Sequence, residues 1–211
     1  MAQGDTRLRL IHAASDLMSR RGYAAAGVDD LCRLAGARKG SFYHFFPTKA
    51  DLALAALELQ WSVIRQQVFE PVAVAGSPGL DRLHRLVDRS DELHRQGLAE
   101  RHVLGSPFGG LGQEMALQDD RIRAAVLAVF DAQCGYLERW LDEASAARQI
   151  VSGDNRARAR QILAILEGAL LLSRVARDPG VFPDVCAAVA AIAGRLPSAA
   201  RPAPGTAPEL L

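Results

Sequence analysis

Apolar residues recur along this chain every three or four positions, and no segment sustains a two-residue alternation. That spacing lines apolar side chains along one face of a helix, so the chain is expected to be all-α, with about nine helices and essentially no sheet. The first stripe is Leu10, Ile11, Ala14, Leu17 and Met18, in a helix over about 6–21 that Gly22 ends, with Tyr23 placed to pack beneath it. Val28, Leu31 and Ala35 form a second, short stripe over 28–35. Gly36, the residue type best suited to a positive φ, turns the chain into a third helix over 38–45. Thr48 then opens a long helix. Thr48-Lys49-Ala50-Asp51 is a loose capping box, in which the hydroxyl accepts an orphan N–H and the acid favours the positive helix end. Leu52, Ala55, Ala56, Leu59 and Val63 carry this helix to about Phe69, with Pro71 expected to mark its end. Twenty-odd residues at helical rise span roughly 30 Å, enough to leave a small headpiece and enter whatever lies beyond.

Further on, Gly76 to Gly79 reads as a loop, followed by a helix over about 80–97 with Leu83, Leu86, Val87 and Leu93 inward. Gly105 to Gly110 reads as a break, and 108–117 as a short helix. A long helix over about 119–147 carries Ile122, Val126, Val129, Phe130, Leu137 and Leu141. Gly153-Asp154-Asn155 separates it from a helix over about 155–177 that is apolar almost all round between Ile162 and Leu172. Asp178-Pro179-Gly180 turns the chain into an Ala-rich helix over about 183–195. The last stretch, 197–211, has four prolines and is expected to be disordered. The pattern divides into a headpiece, 1–47, and a helical body, 48–196.

Charge sharpens this division. Net charge is only +1, yet residues 1–50 carry eight cations (Arg7, Arg9, Arg20, Arg21, Arg33, Arg38, Lys39 and Lys49) against four acids (Asp5, Asp16, Asp29 and Asp30). A basic head on a mildly acidic body suits a protein that offers one end to a polyanion. The three cysteines, Cys32, Cys134 and Cys186, are widely spaced and odd in number, so neither a disulfide framework nor a zinc site is expected, and each reads as a small buried hydrophobe. The N-terminal stretch lacks the apolar core of a signal peptide, and the run from Ile162 to Leu172 is too short to span a bilayer, so a cytoplasmic protein without membrane contact is expected. Asp81-x-x-His84 and Asp91-x-x-His94 have the spacing of helical carboxylate–histidine pairs, but they lie ten residues apart, roughly 280° around one helix. They read as solvated surface, and no metal or cofactor is expected.

The segment 38–45 carries the candidate chemistry. Phe42 and Phe46 belong to the core, whereas Arg38, Lys39, Ser41, Tyr43 and His44 give the same short helix a cationic, hydrogen-bonding side. Such a helix suits the major groove of double-stranded DNA, as the second element of a helix-turn-helix. Arg38 and Lys39 are assigned to guanine or phosphate and Ser41 to a base or a phosphate oxygen, while Gly40 lets the backbone approach closely. Tyr43 and His44 are assigned to phosphate or sugar, with Lys49 on a phosphate near the N-terminus of the long helix beside Thr48.

The run Gly-Ala-Arg-Lys-Gly-Ser-Phe-Tyr-His-Phe-Phe-Pro-Thr-Lys-Ala-Asp-Leu, residues 36–52, resembles the TetR family of transcriptional regulators. Gly36, Gly40, Phe42, Tyr43, Phe46, Lys49 and Leu52 fall where that family's pattern has them or a close equivalent, and the likeness covers residues 7–55 and the layout of the remaining helices. The family often has Thr or Ser where this chain has Gly27, capping the second helix and touching phosphate; Gly27 offers only its backbone. It often has Ser where this chain has Arg38, so the operator sequence is not transferable from a relative. The segment Gly105-Ser106-Pro107-Phe108-Gly109-Gly110-Leu111 is similar to a Gly-Cys-Pro-x-Gly-x-Leu element of a TetR subgroup, some of whose members sense electrophiles through the cysteine. Ser106 has no thiolate chemistry, so that sensing does not transfer.

The resemblance implies a homodimer on a palindromic operator, with a small-molecule inducer inside the body. Trp61, Phe108, Met115, Tyr136 and Trp140 are the bulky candidates for lining that site, with Glu114 or Gln113 as a polar group able to orient a ligand, although ordinary core packing competes for each of the bulky residues. Ile162, Ile165, Leu166, Ala169 and Leu170, with Ala187 and Ala191, are expected at a two-fold interface of paired helices. A repressor relieved by its inducer is the expected function. A ligand-independent regulator or an activator of the same fold is the alternative. A helical enzyme is disfavoured because no nucleophile–base–orienter set or phosphate loop is present. A helical interaction module is disfavoured by the basic head.

Overall fold

The computed structural model describes residues 2–74, 79–99 and 105–194. Its helices are α1 (Ala2–Arg21), α2 (Val28–Ala35), α3 (Lys39–Phe45), α4 (Lys49–Ile64), α5 (Glu70–Val74), α6 (Gly79–Ala99), α7 (Pro107–Met115), α8 (Asp120–Ala146), α9 (Asn155–Ala176), α10 (Val181–Cys186) and α11 (Val189–Ile192). A π-helical turn, Arg65–Phe69, joins α4 to α5. With that continuous rod counted once and α10 and α11 taken together, nine helical units stand among the described residues, with no strand between them. The loop expected at 76–79 falls largely, and the tail 197–211 wholly, outside the described residues.

The headpiece forms as its stripes require. Leu10, Ala14, Leu31 and Phe42 are fully buried in one cluster with Ile11, Leu17 and Phe46, and Leu52 and Ala56 of α4 close its open side. Gly36 takes the left-handed conformation (φ 59°) at the end of α2. Arg9 Nε donates to the carbonyl of Ala35 at 2.9 Å, satisfying one of the carbonyls that the end of α2 leaves free. Thr48 caps α4 in a complete capping box: its hydroxyl accepts from Asp51 N–H at 3.2 Å, and the Asp51 carboxylate accepts from Thr48 N–H at 2.9 Å.

Pro71 does not end the long helix. Proline lacks the N–H that would bond the carbonyl four residues back, here that of Gln67. Arg89 of α6 donates its Nε to that carbonyl at 3.0 Å, and the backbone relaxes into the π turn, where Glu70 N–H bonds Arg65. The rod therefore continues through Val74 and runs roughly 39 Å at ordinary helical rise. The break expected at 105–110 is also shorter than its glycines suggest. Ser106 caps α7 by accepting from Gly109 N–H at 3.0 Å, and Pro107 takes the first helical position, which needs no N–H. The single C-terminal helix expected over 183–195 is two short ones.

The body's main core packs α6, α8, α9 and the C-terminal segments around Leu83, Leu86, Leu137, Trp140, Leu141, Ile162 and Phe182. A second cluster joins Leu57 of α4 to Phe108, Met115, Ile122, Val126 and Val129. His84 is exposed as expected, but His94 is not on the surface. It is buried with its ring 5.6 Å from that of Phe182, and burial lowers its pKa. The α10 segment covers that side of α6, a tertiary contact that the spacing of α6 alone cannot show. No helix among the described residues is long and apolar enough to cross a membrane.

Candidate functional site

Two candidate sites follow from this arrangement: the exposed side of α3 and a cavity where headpiece and body meet. On α3 and its flanks, Gly27, Arg38, Lys39, Gly40, Tyr43, His44 and Thr48 are exposed, and Ser41 is half-buried. Arg38 sits at the N-cap of α3 with extended backbone. Gly27 caps α2 through its backbone alone, without a side-chain bond. Lys39 Nζ pairs with Asp29 Oδ1 of α2 at 2.7 Å, an exposed pair that a polyanion can replace at little cost. A Cβ at Gly40 would meet nothing within 4 Å, so the protein's own packing makes no demand for glycine there.

Within the protein, Lys49 is held against the turn that follows α1. Its ammonium donates to the Tyr23 carbonyl at 2.9 Å and lies 4.2 Å from the centre of the Tyr23 ring. Partial burial lowers its pKa, and the nearby Glu114 carboxylate opposes that shift. Lys49→Ala is therefore expected to cost about 1 kcal/mol of stability. It should leave the slope of operator affinity against salt unchanged; a slope smaller by about one unit in a salt titration would place Lys49 on a phosphate instead.

The same turn is gripped from the body. Glu114 of α7 accepts from Tyr23 N–H at 2.9 Å and from Ala24 N–H at 2.8 Å, ninety residues away in sequence. Gly22, with φ +85°, brings the chain so close that a Cβ there would stand 2.4 Å from Glu114 Oε1. A further tie joins the N-termini of α4 and α8: Arg121 donates to Asp51 at 2.8 Å and to Asp119 at 3.3 Å. The Thr48 hydroxyl and then Arg121 lower the pKa of Asp51, and Arg121 lowers that of Asp119.

Beside the Glu114 grip is a cavity of about 440 Å³, bounded by α1, α4, α7 and α9. Ala14, Met18, Ala53, Ala56 and Leu171 supply apolar wall, and Gln60, Glu114, Glu167 and Arg174 supply polar groups. Its size is that of an ordinary small-molecule site. Of the residues expected to line a pocket, only Gln113 and Glu114 border it. The aromatic ones fill space instead: Phe69 lies 5.6 Å from Trp61, 5.1 Å from Tyr136 and 6.3 Å from Trp140, and Trp61 lies 6.4 Å from Phe108. Met115 is buried in the cluster with Phe108. Large apolar rings gain more by packing on one another than by lining a wet cavity, and the backbone-proximal glycines and alanines form the wall instead.

The expected interface residues divide in the same way. Ile162, Leu166 and Ala169 are buried inside the protomer, and Ile165 and Leu170 pack against the same core. Ala187 and Ala191 are exposed. The outward face of α9 runs instead through Ala164, Gly168, Leu171, Leu172 and Val175, with Leu171, Leu172 and Val175 46%, 50% and 75% exposed. Glu114 in its structural role, Gly22, Glu167 and this outer face were not identified from sequence. Only Gly22 carries a local signal, as the glycine that ends α1.

Comparison with known proteins agrees with this geometry. The pattern described as bacterial regulatory proteins, tetR family, matches residues 10–56, and that of the tetracyclin repressor-like C-terminal domain matches 79–189. The transcriptional regulator AcuR of Cereibacter sphaeroides is 32% identical over 173 residues, covering 81% of this chain and 77% of that protein. The regulator LmrA of Bacillus subtilis is 28% identical over 183 residues, covering 84% and 91%. A regulatory protein TetR from Rhodobacter sphaeroides superposes with a TM-score of 0.78 at 28% identity, over 88% of this chain and 97% of that one. Reduced NemR of E. coli, at 23% identity and a TM-score of 0.73 over 89% and 96%, shares the fold. With both halves matched, the chain belongs to the TetR family of bacterial transcriptional regulators.

Proposed function

We propose that this regulator is a homodimeric repressor that reads a palindromic operator through residues 1–47 and is released by a small molecule bound to the body, 48–196. The observation that carries this reading is the position of the cavity, which shares Gly22, Tyr23 and Glu114 with the tie between body and headpiece. A ligand that fills the cavity better when this tie is displaced shifts the population away from the DNA-binding geometry; equal affinity for both states would shift nothing. The π turn and the long rod give the body a second connection to the headpiece.

On the DNA side, Arg38, Lys39 and Ser41 read bases or phosphates near the start of α3, Tyr43, His44 and Thr48 contact the backbone, and Gly27 and Gly40 allow close approach. The absence of any internal steric reason for glycine at position 40 supports that role. Lys39→Ala is expected to weaken operator binding about tenfold or more and to relax preference at one base pair. An unchanged gel-shift titration would remove Lys39 from the reading set. The deciding experiment for the whole proposal is selection from random duplex DNA with the purified protein, followed by sequencing of the bound pool. A single palindromic consensus is expected, and no enrichment at low salt would overturn the proposal.

A further inference from the structure

The charged groups around the cavity are not equally occupied. Glu114 is committed to two backbone N–H groups. Arg21 stands 3.9 Å from Asp30, and Arg174 directs Nη2 to the Arg20 carbonyl at 3.4 Å. Glu167 differs. It projects from the middle of α9 into the cavity, largely withdrawn from solvent, with the Ser106 hydroxyl beside it. That hydroxyl already accepts from Gly109 N–H, so its one proton is free to point at the carboxylate. No lysine, arginine or histidine forms an ion pair with Glu167 among the described residues, and burial pushes its pKa up. Space for the carboxylate is made by Gly109, where a Cβ would stand 2.6 Å from Glu167 Oε2.

A carboxylate in a largely apolar cavity without a cationic partner favours a ligand that brings one. Arg174, seven residues further along α9 and on the same cavity wall, directs its guanidinium to the Arg20 carbonyl and forms no ion pair with Glu167. We propose that the cavity takes a small organic amine, its protonated nitrogen held by Glu167 and its apolar body laid against Ala53, Ala56 and Leu171. This rests on the reading of the cavity as the inducer site and names the ligand chemistry that the site selects.

The test uses the full-length dimer and two ligand pairs matched in shape: phenethylamine with 3-phenylpropionate, and tryptamine with indole-3-propionate. Titration calorimetry and thermal shift measure binding, and operator release is measured separately. The amines are expected to bind and raise the melting temperature, and the acids are not. Glu167→Gln keeps the shape and an acceptor for Ser106, and should weaken amine binding about tenfold to a hundredfold. Gly109→Ala should weaken it too, with Glu167 intact, by displacing the carboxylate. Acids binding more tightly than their matched amines, no binding by either amine, or amine affinity in Glu167→Gln within twofold of the parent overturns the proposal. An amine bound through Glu167 that leaves operator binding unchanged would support the ligand chemistry and remove the inducer reading. An acid that binds and releases DNA would do the reverse.

Discussion

Gly22→Ala is expected to destabilise the protein by about 2–4 kcal/mol, and most of that cost should depend on Glu114. Two effects add at this position. Alanine at φ +85° is strained in any surroundings, and its Cβ would stand 2.4 Å from Glu114 Oε1 and 3.1 Å from the carboxyl carbon. The carboxylate must then move, and the N–H groups of Tyr23 and Ala24 lose their acceptor. Glu114→Ala alone loses the same two bonds without the clash, and the exposed Ala24 N–H can turn to water, so its cost should be the smaller. In the double variant the clash is gone, and the costs should fall short of additive by more than about 0.5 kcal/mol. Urea unfolding of the four proteins measures this. Additive costs would show that the strain at Gly22→Ala is purely local and independent of Glu114. The same variants test transmission. If the grip couples body to headpiece, an effector that releases the parent from DNA should lose its effect in Glu114→Ala; an undiminished response would route the coupling through the α4 rod instead.

What the sequence shows of this molecule follows the range of the interactions. The Thr48–Asp51 capping box, the turn at Gly36 and the division of α3 into Phe42 and its polar side are set within four residues, and each is visible in the sequence. Pro71 was misleading because the carbonyl it leaves free, that of Gln67, is satisfied by Arg89 from another helix. Glu114 and Glu167 look like ordinary helical acids until folding brings the first to the Tyr23 turn and the second to an unpaired place in a cavity. Periodicity placed the helices, but it cannot tell which of them enclose a cavity, nor a ring that lines a space from one that fills it. Trp61, Tyr136 and Trp140 fill it.

The face of α9 is the clearest case of that ambiguity, and it sets the second large expected effect. The segment 162–172 is apolar on two sides, so the sequence alone does not say which side is turned inward. The protomer buries Ile162, Leu166 and Ala169, leaves Ala164, Leu172 and Val175 exposed, and leaves Gly168 half-buried and Leu171 exposed at the edge of the cavity. A contiguous apolar row of this kind needs a partner, and the small residues in it permit two helices to approach closely. About a two-fold axis each residue is presented twice, so one substitution places two charges in the same interface. Val175→Glu is therefore expected to give folded monomers. With only one recognition helix available at a time, operator affinity should fall about 10²–10⁴-fold. Val175 is 75% exposed in the protomer, so the fold tolerates a carboxylate there, whereas Ile162→Glu would bury a charge in the core and report only on folding. Light scattering gives the mass, far-ultraviolet circular dichroism checks the helices, and a gel-shift titration gives the affinity. A protein of dimer mass with undiminished operator binding would move the two-fold contact away from the outer face of α9, leaving the exposed Ala187 and Ala191 side of the C-terminal segments as the surface to test.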